Sequence, residues 1–481
     1  MAEPKKQEKD FTKEVDAIIP EAQALAKSGQ LQESVDKLLV LEKQTRNASD
    51  LASTTRLVKE ICQQCYDARD YEKLNANILL LSKKHGQLKA SIQAMVEQAM
   101  GWLEEIKQRD GTERWLELID TLRSVTEGKI FLETPRARVT LLLAHYHESL
   151  ANSPTPTSPP PKESIQTASD LLSDLQVETY SSMERREKTE FILEQMRLLI
   201  MVAKEKDKEK GVEGKKDAVV GGDADWVKVR VGGRKVSEKF LEEKENEDLK
   251  LKYYDLMIQY DLQHSEYLSA AKHYYKVWET PSIKAEENGR GREALEHIIY
   301  YVVLAPHDNE QSDMLNRLYK NPALERLALQ YALSKCFVTP EIMRWPHMEA
   351  LYGPHLRETD VFKNDKRWED LHTRIIEHNI RTIAQYYTRI RLSHLTTLLD
   401  LTLPQTEEIL CRLVVSGTVW ARIDRPAGIV SFRQSRTAED VMNDWSSDMS
   451  KLLSLVEKTW MGVNAAQAAQ ARAKAVAAAS S

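Results

Sequence analysis

Residues 378–432, HNIRTIAQYYTRIRLSHLTTLLDLTLPQTEEILCRLVVSGTVWARIDRPAGIVSF, contain the order of elements that decides the fold. The stretch 389–392 has the pattern of a short extended segment, and Ser393 is placed to cap a helix with leucines at helical spacing. Thr402 and Gln405 have the spacing of a capping box, which predicts that a second helix begins there.

A hairpin is predicted after this second helix, which the pattern ends at Gly417. Residues 419–423 alternate apolar and polar side chains, 425–428 supply a turn, and 429–432 supply the returning strand. The order helix, strand, helix, helix, hairpin is that of a winged helix. Winged helices bind either nucleic acid or proteins, and their surface charge indicates which.

Length and composition favour a large helical protein without secretion or membrane signals. The chain has 481 residues, too many for one compact core, and a formal net charge of −6 that does not favour nucleic acid or acidic membranes. Its 4 cysteines suit a reducing compartment. The charged N-terminus lacks a secretory pattern, and the longest apolar run, 298–305, is too short to span a bilayer. We therefore expect a soluble intracellular protein without a membrane partner.

The first half of the chain repeats a helix–turn–helix pattern. Large residues follow polar turns at Leu31, Tyr71 and Trp115, which are 40 and 44 residues apart. Trp226 and Tyr267 have similar surroundings and are 41 residues apart. A period near forty predicts an all-α solenoid of tetratricopeptide-like helix pairs, followed by the winged helix with its small β-sheet and a C-terminal helix.

Changes of composition predict the boundaries between segments. A proline-rich stretch cannot continue a helix, and a Lys/Glu-rich stretch that turns Gly-rich has little to bury. Gly232 and Gly233 also weaken the helical pattern around them. The predicted segments are a disordered N-terminus (1–11), a helical-repeat solenoid (12–203) with a Pro-rich loop (151–161), a disordered insertion (204–222), further helical repeats (223–367), the winged helix (368–433), a C-terminal helix (434–462) and an Ala-rich tail (463–481).

The C-terminal helix is predicted to need a partner surface. Its apolar residues recur at spacings of three and four, which places them on one stripe of a helix. The predicted interface residues of this stripe are Val441, Trp445, Met449, Leu452, Val456 and Trp460.

The charges near the wing favour protein over nucleic acid. The second helix and the hairpin together contain three acidic and three basic residues, namely Glu407, Glu408, Asp424, Arg412, Arg422 and Arg425. Phosphate binding normally requires several uncompensated cations. We therefore predict protein contact, with the open edge of the hairpin extending a neighbour's sheet. The predicted wing interface residues are Val419, Trp420, Ile423, Ile429 and Phe432.

No catalytic, cofactor or metal site is predicted. Cys62 and Cys65 have the CxxC spacing, but further metal ligands and a βαβ setting are lacking, so packed helix residues are the simpler interpretation. The stretch 289–294 fits GxGxxA without the strand that this fingerprint requires. The histidine pairs, whose spacings do not suit a shared metal, are His145 with His147 and His372 with His378.

The chain resembles the PCI-domain proteins, which are shared by the proteasome lid, the signalosome and translation initiation factor 3. The winged-helix segments that match this pattern are 391–395, 398–401, 407–410, 413–414, 417–419, 421–424 and 428–432. Other stretches are similar to PCI subunits of the proteasome lid in particular, namely 184–198, 249–258, 272–274 and 378–381. The resemblance covers roughly residues 10 to 460, from the repeats into the C-terminal helix.

This resemblance implies a non-catalytic scaffold in ubiquitin-dependent protein degradation, present in cytoplasm and nucleus. Its implied partners are the other PCI subunits of the lid, the metalloprotease-fold deubiquitinating subunit, the ATPase ring and the core particle. No cofactor is implied. A signalosome PCI subunit and an RNA-associated PCI protein are the alternatives.

Overall fold

The computed structural model describes residues 11–152, 160–213, 223–285, 289–432 and 438–479. The chain forms two compact units, Met1–Leu295 and Glu296–Ser481. The described parts are predominantly helical, with one small sheet in the second unit. The predicted fold class of helical repeats, winged helix and C-terminal helix is therefore confirmed.

The first unit is a succession of helices connected mostly by short turns. Short 3-10 turns lie at Ile130–Leu132, Val177–Thr179 and Lys244–Asn246. The α-helices are α1 Thr12–Lys27, α2 Leu31–Asn47, α3 Leu51–Asp67, α4 Tyr71–Lys83, α5 Lys89–Gly101, α6 Leu103–Arg109, α7 Thr112–Thr126, α8 Glu133–Asn152, α9 Pro161–Ser173, α10 Arg185–Glu213, α11 Asp223–Lys235, α12 Glu238–Leu241, α13 Glu247–Gln263, α14 Tyr267–Glu279 and α15 Pro281–Ala285.

The forty-residue period arises from one turn that recurs every 20 residues. Gly29, Ser49 and Arg69 each adopt a left-handed conformation, with φ of 91°, 57° and 56°. After each, an amide donates to a carbonyl five residues earlier, which satisfies the open end of the preceding helix. These bonds are 3.1 Å long and join Gln30 to Leu25, Asp50 to Thr45 and Asp70 to Cys65. The predicted anchors at the starts of α2 and α4, Leu31 and Tyr71, are buried, as is Trp115 in α7.

The prediction of disorder from Lys204 is wrong for residues 204–213, which continue α10. The polar residues there are fixed by neighbouring helices. Asp207 accepts hydrogen bonds from the indole of Trp226 at 2.8 Å and from Gln263 at 3.0 Å. Lys206 forms a 2.7 Å ion pair with Asp225. Residues 214–222 lie outside the described residues, as do 1–10 and 153–159 of the predicted N-terminus and loop.

Gly232 and Gly233 lie inside α11, so the helix continues through the two residues that weaken its sequence pattern. A Cβ atom on Gly232 would lie 2.8 Å from Cγ of Met196, and one on Gly233 would lie 2.7 Å from Sδ of Met257. The two glycines thus allow α11 to approach α10 and α13 closely, and the packing offsets their low helix propensity.

The second unit contains the buried run 298–305, of which 298–304 lie in its first helix, and a three-stranded sheet follows later in the chain. Its elements are α16 Arg290–Leu304, which begins before the division, α17 Asn309–Tyr319, α18 Pro322–Glu325, α19 Ala328–Val338, α20 Trp345–Glu358, α21 Asp365–Tyr386, β1 Arg389–Arg391, α22 Leu392–Leu399, α23 Leu403–Val415, β2 Arg422–Asp424, β3 Ile429–Ser431 and α24 Ala438–Ala479.

The long helix α21 leads into the winged helix and also fixes the extended segment before α20. The buried side chain of Asn379 accepts from the amide of Met343 at 2.8 Å and donates to its carbonyl at 2.7 Å. The ring of His378 lies 3.3 Å from the carbonyl oxygen of Glu341. These bonds satisfy backbone groups of a segment that is buried only at Met343 and has no secondary structure of its own.

Candidate protein-interaction surfaces

The winged helix is built around one apolar core. Ile390, Val430 and Ile423 face it from the three strands, and Leu395 and Leu410 face it from α22 and α23. The strand order is β1-β3-β2, with both pairings antiparallel. The sheet therefore has β1 and β2 as its two edges within the described chain.

The local sequence signal predicts the start of α23 correctly but not that of α22. The capping box at Thr402 is confirmed, with Oε1 of Gln405 accepting from the Thr402 amide at 3.3 Å and also from its hydroxyl at 2.7 Å. The predicted cap at Ser393 is wrong, because α22 starts one residue earlier. The Ser393 carbonyl instead accepts from Thr396 and Thr397 within the helix. Asp400 joins the two helices in a left-handed conformation, with φ of 56°.

The five predicted wing residues lie in three different environments. Val419 and Phe432 are buried in the winged-helix core, so their side chains support the fold. Ile423 and Ile429 are half-buried, and Trp420 is exposed. The structure thus leaves Trp420 and the backbone edge of β2 as the accessible parts of the predicted surface.

The hairpin turn is tied to α23. Arg425 forms a 3.1 Å ion pair with Glu407, and Asp424 accepts from the amide of Ala427 at 3.3 Å. Gly428 adopts φ of 62°, which favours glycine at this turn. These contacts hold the edge strand β2 in a fixed position relative to the helix.

The outer face of the sheet has positive charge that sequence reasoning missed. The register aligns Arg389, Ser431 and Arg422 in one row, and Arg391 with Asp424 in the next. The balanced count made from α23 and the hairpin left out β1, which adds two arginines to this face. Finding these arginines requires the pairing register between strands that are distant in sequence, which local patterns do not indicate.

The C-terminal helix α24 is exposed over most of its length. Every residue from 438 to 474 is exposed, including Trp445 at 61% and Trp460 at 65%. At about 100° per residue, the apolar positions cover an arc of roughly 160°. This α24 apolar arc contains the six predicted residues, Val441, Trp445, Met449, Leu452, Val456 and Trp460, and four that the prediction omitted, Met442, Leu453, Leu455 and Val463.

The helix also extends farther than predicted. It continues through Ala479, into the stretch 463–481 that composition assigned to a separate tail. Alanine has the highest helix propensity, so an Ala-rich segment can prolong a helix that is already formed. Residues 480–481 and the predicted start of the helix at 434–437 lie outside the described residues.

Three family models match successive parts of the chain. The model described as PSMD12/CSN4, N-terminal, matches residues 33–286, and the PCI domain matches 341–434. The 26S proteasome regulatory subunit RPN5 C-terminal domain matches residues 439–460, within α24.

Full-length relatives agree with these matches. The chain is 38% identical over 458 residues to 26S proteasome regulatory subunit RPN5 of Saccharomyces cerevisiae, covering 94% of this chain and 95% of the relative. It is 38% identical over 455 residues to 26S proteasome non-ATPase regulatory subunit 12 of Dictyostelium discoideum, covering 94% of both. Homolog A of that subunit in Arabidopsis thaliana is 36% identical over 449 residues, covering 90% of this chain and 96% of the relative. The chain belongs to the 26S proteasome non-ATPase regulatory subunit 12 (RPN5) family.

Membership of the RPN5 family confirms the predicted resemblance to PCI subunits of the proteasome lid. The PCI match contains the winged helix, and the C-terminal match contains all six predicted residues of α24. Whether the wing and α24 residues contact a partner stays a prediction.

The remaining sequence motifs lie in ordinary helical settings in this RPN5-family chain. Cys62 and Cys65 are buried in α3, where burial raises the pKa of both thiols and keeps them protonated. Gly289 directly precedes α16. Among the described residues, no cluster of His, Cys, Asp and Glu could hold a metal ion, and no helix has the length and apolar character to cross a membrane.

Proposed function

We propose that this chain is a non-catalytic scaffold subunit of the lid of the 26S proteasome regulatory particle. It would support ubiquitin-dependent protein degradation in cytoplasm and nucleus. The observation that supports this most directly is the exposed α24 apolar arc, which lies in the segment matched by the RPN5 C-terminal domain. An apolar surface of this extent on a helix is stabilised by burial against a partner.

Three surfaces would each make a different contact in the assembled lid. The edge of β2, with Trp420 beside it, would pair with another PCI subunit of the lid through backbone hydrogen bonds. The α24 apolar arc would enter a helical bundle with other lid subunits. The helical repeats of residues 12–365 would position the deubiquitinating subunit, the ATPase ring and the core particle.

The combined variant Trp445→Asp and Leu452→Asp tests the bundle contact. Both residues lie on the α24 apolar arc, so carboxylates there would be buried without partners and should abolish incorporation into the lid. Met461→Asp is the matched control, because Met461 is exposed on the opposite side of the same helix. Purification of the lid, followed by mass spectrometry, measures incorporation. Normal incorporation of the double variant would contradict the proposal.

A signalosome subunit is the second candidate, because the N-terminal family model is shared between PSMD12 and CSN4. Purification of the tagged chain separates the two. Recovery with proteasome ATPases supports the lid, and recovery with cullin-modifying subunits supports the signalosome.

An RNA-associated role is favoured only by the arginines on the outer sheet face, Arg389, Arg391 and Arg422. Binding of a single-stranded RNA at near-physiological salt, lost on replacing these arginines by glutamine, would support that role over the lid.

A further inference from the structure

The buried residue Glu377, at the junction of α21 and α23, is contacted by three arginines, two at its carboxylate and one at its backbone carbonyl. Arg374 contacts Glu377 at 2.5 Å, and Arg412 reaches the same carboxylate from α23 at 3.9 Å. Arg381 donates from Nε to the backbone carbonyl of Glu377 at 3.4 Å. We call these four residues the Glu377 cluster. It has three positive charges and one negative charge.

Two of these guanidinium groups, those of Arg374 and Arg381, have donors without a good acceptor. Nε of Arg374 is buried and has no hydrogen-bond partner among the described residues. Arg381 is half-buried, forms no ion pair within the described chain, and has one long hydrogen bond to its own helix. Burial lowers the pKa of Arg381 to about 10. Leaving a buried donor without an acceptor is unfavourable, so an added anion would stabilise the cluster.

The cluster is accessible from the exposed side of α23. Arg412 is exposed, and its neighbours Cys411 and Val415 are exposed as well, with Val415 at 88%. An incoming segment could therefore contact apolar and cationic groups together.

We propose that the Glu377 cluster binds an acidic segment of another protein subunit. A carboxylate from that segment would accept hydrogen bonds from Arg381 and Arg412 and offset their excess charge. Glu408 is exposed on the same helix and would repel a polyanionic phosphate backbone, whereas a single carboxylate beside apolar side chains fits. This inference rests on the proposed function, because it requires a multi-subunit assembly.

The test compares Arg381→Gln and Arg381→Lys with the unaltered chain. Arg317→Gln is the control, because Arg317 is exposed on α17 and pairs with Asp313 four residues earlier. The first measurement is thermal unfolding of each free full-length chain. Glutamine removes a desolvated charge, so we expect an unfolding temperature equal to or above that of the unaltered chain.

The second measurement is dissociation of each chain from the purified lid at low and high NaCl. We expect Arg381→Gln to dissociate about tenfold faster at low salt, with a smaller difference at high salt. Arg381→Lys should be intermediate, because lysine keeps the charge but loses the planar fork of donors. Arg317→Gln should match the unaltered chain.

A crosslinker attached to exposed Cys411 then identifies the neighbour. Mass spectrometry should find Cys411 crosslinked to an acidic peptide of another lid subunit, both with and without nuclease treatment.

Other results of these measurements would each contradict one specific part of the proposal. A lower unfolding temperature with unchanged dissociation would make Arg381 a structural residue. If the difference in dissociation rate between Arg381→Gln and the unaltered chain disappears after nuclease treatment, the cluster binds nucleic acid instead. Normal retention of Arg381→Gln in a lid that contains the chain would refute this inference alone. Absence of the unaltered chain from the lid would refute the proposed function itself.

Discussion

At the scale of single residues, close helix packing depends on Gly233. Its Cα hydrogen faces Sδ of Met257, and an added methyl group would overlap that atom. We expect Gly233→Ala to destabilise the first unit by about 1–3 kcal/mol, because the helices must separate or the methionine must leave its rotamer. Urea denaturation followed by circular dichroism measures this change.

The control for Gly233→Ala is Gly101→Ala in α5. A Cβ on Gly101 has no atom within 4 Å, so alanine should be neutral or stabilise the helix by up to about 1 kcal/mol. Equal changes in stability at both positions would show that the effect of Gly233→Ala comes from helix propensity and not from packing against Met257.

His378 should make stability depend on pH. Burial lowers its pKa, although hydrogen bonds to the carbonyls of Glu341 and Thr339 oppose the shift. The folded chain therefore holds this histidine neutral, while the unfolded chain takes up a proton near its ordinary pKa of about 6.5. Stability is full above that pH and is lost as pH falls towards the lowered pKa of the folded state.

We expect His378→Gln to lose less stability than the unaltered chain on acidification. Urea denaturation at about pH 7.5 and about pH 5.5, on either side of the ordinary imidazole pKa, measures this. His355→Gln, at an exposed position of α20, is the control. An unchanged pH dependence of stability in His378→Gln would show that His378 is not its source. His372 would then be the next residue to replace, because burial lowers its pKa as well.

At the scale of elements, the second half of α10 is ordered by its contacts with α11 and α13. Asp207→Ala would leave the buried indole N–H of Trp226 without its acceptor, which should cost about 1–3 kcal/mol. Hydrogen exchange should increase in residues 204–208. Lys208→Ala, at the adjacent exposed position, should change neither quantity. Unchanged exchange in Asp207→Ala would mean that other contacts hold this part of the helix.

The winged helix was predictable because its signals are local. The capping box at Thr402, the alternation in the hairpin and the turn before Gly428 each depend on residues a few positions apart. By contrast, residues 204–213 have a composition typical of disorder, and their helix depends on Trp226 and Gln263 elsewhere in the chain. The composition of residues 204–213 alone does not indicate such tertiary contacts.

The candidate surfaces were predictable only in part, for the same reason. Helical spacing placed Trp445 and Trp460 on one stripe of α24, and the structure leaves both exposed. Alternation alone did not show that Val419 and Phe432 are buried, since that depends on packing against α22 and α23. The Glu377 cluster also unites residues more than thirty positions apart, from Arg374 to Arg412.

At the scale of the whole molecule, residues 438–474 of α24 lie outside the buried cores of the described chain. All residues from 438 to 474 are exposed, so a chain that ends at residue 437 should unfold at the same temperature as the full chain. It should also self-associate less, because it lacks the α24 apolar arc. Differential scanning calorimetry and light scattering measure the two effects. A clearly lower unfolding temperature would show that α24 packs against the remainder.

The exposure of α24 also has a consequence for protein abundance. A chain synthesised in excess of its partners would display Trp445, Trp460 and their apolar neighbours continuously. Chaperones and quality-control proteases recognise such surfaces, so the lifetime of an unassembled copy would be short. The cellular level of this chain would then follow the supply of any partner that covers its last helix.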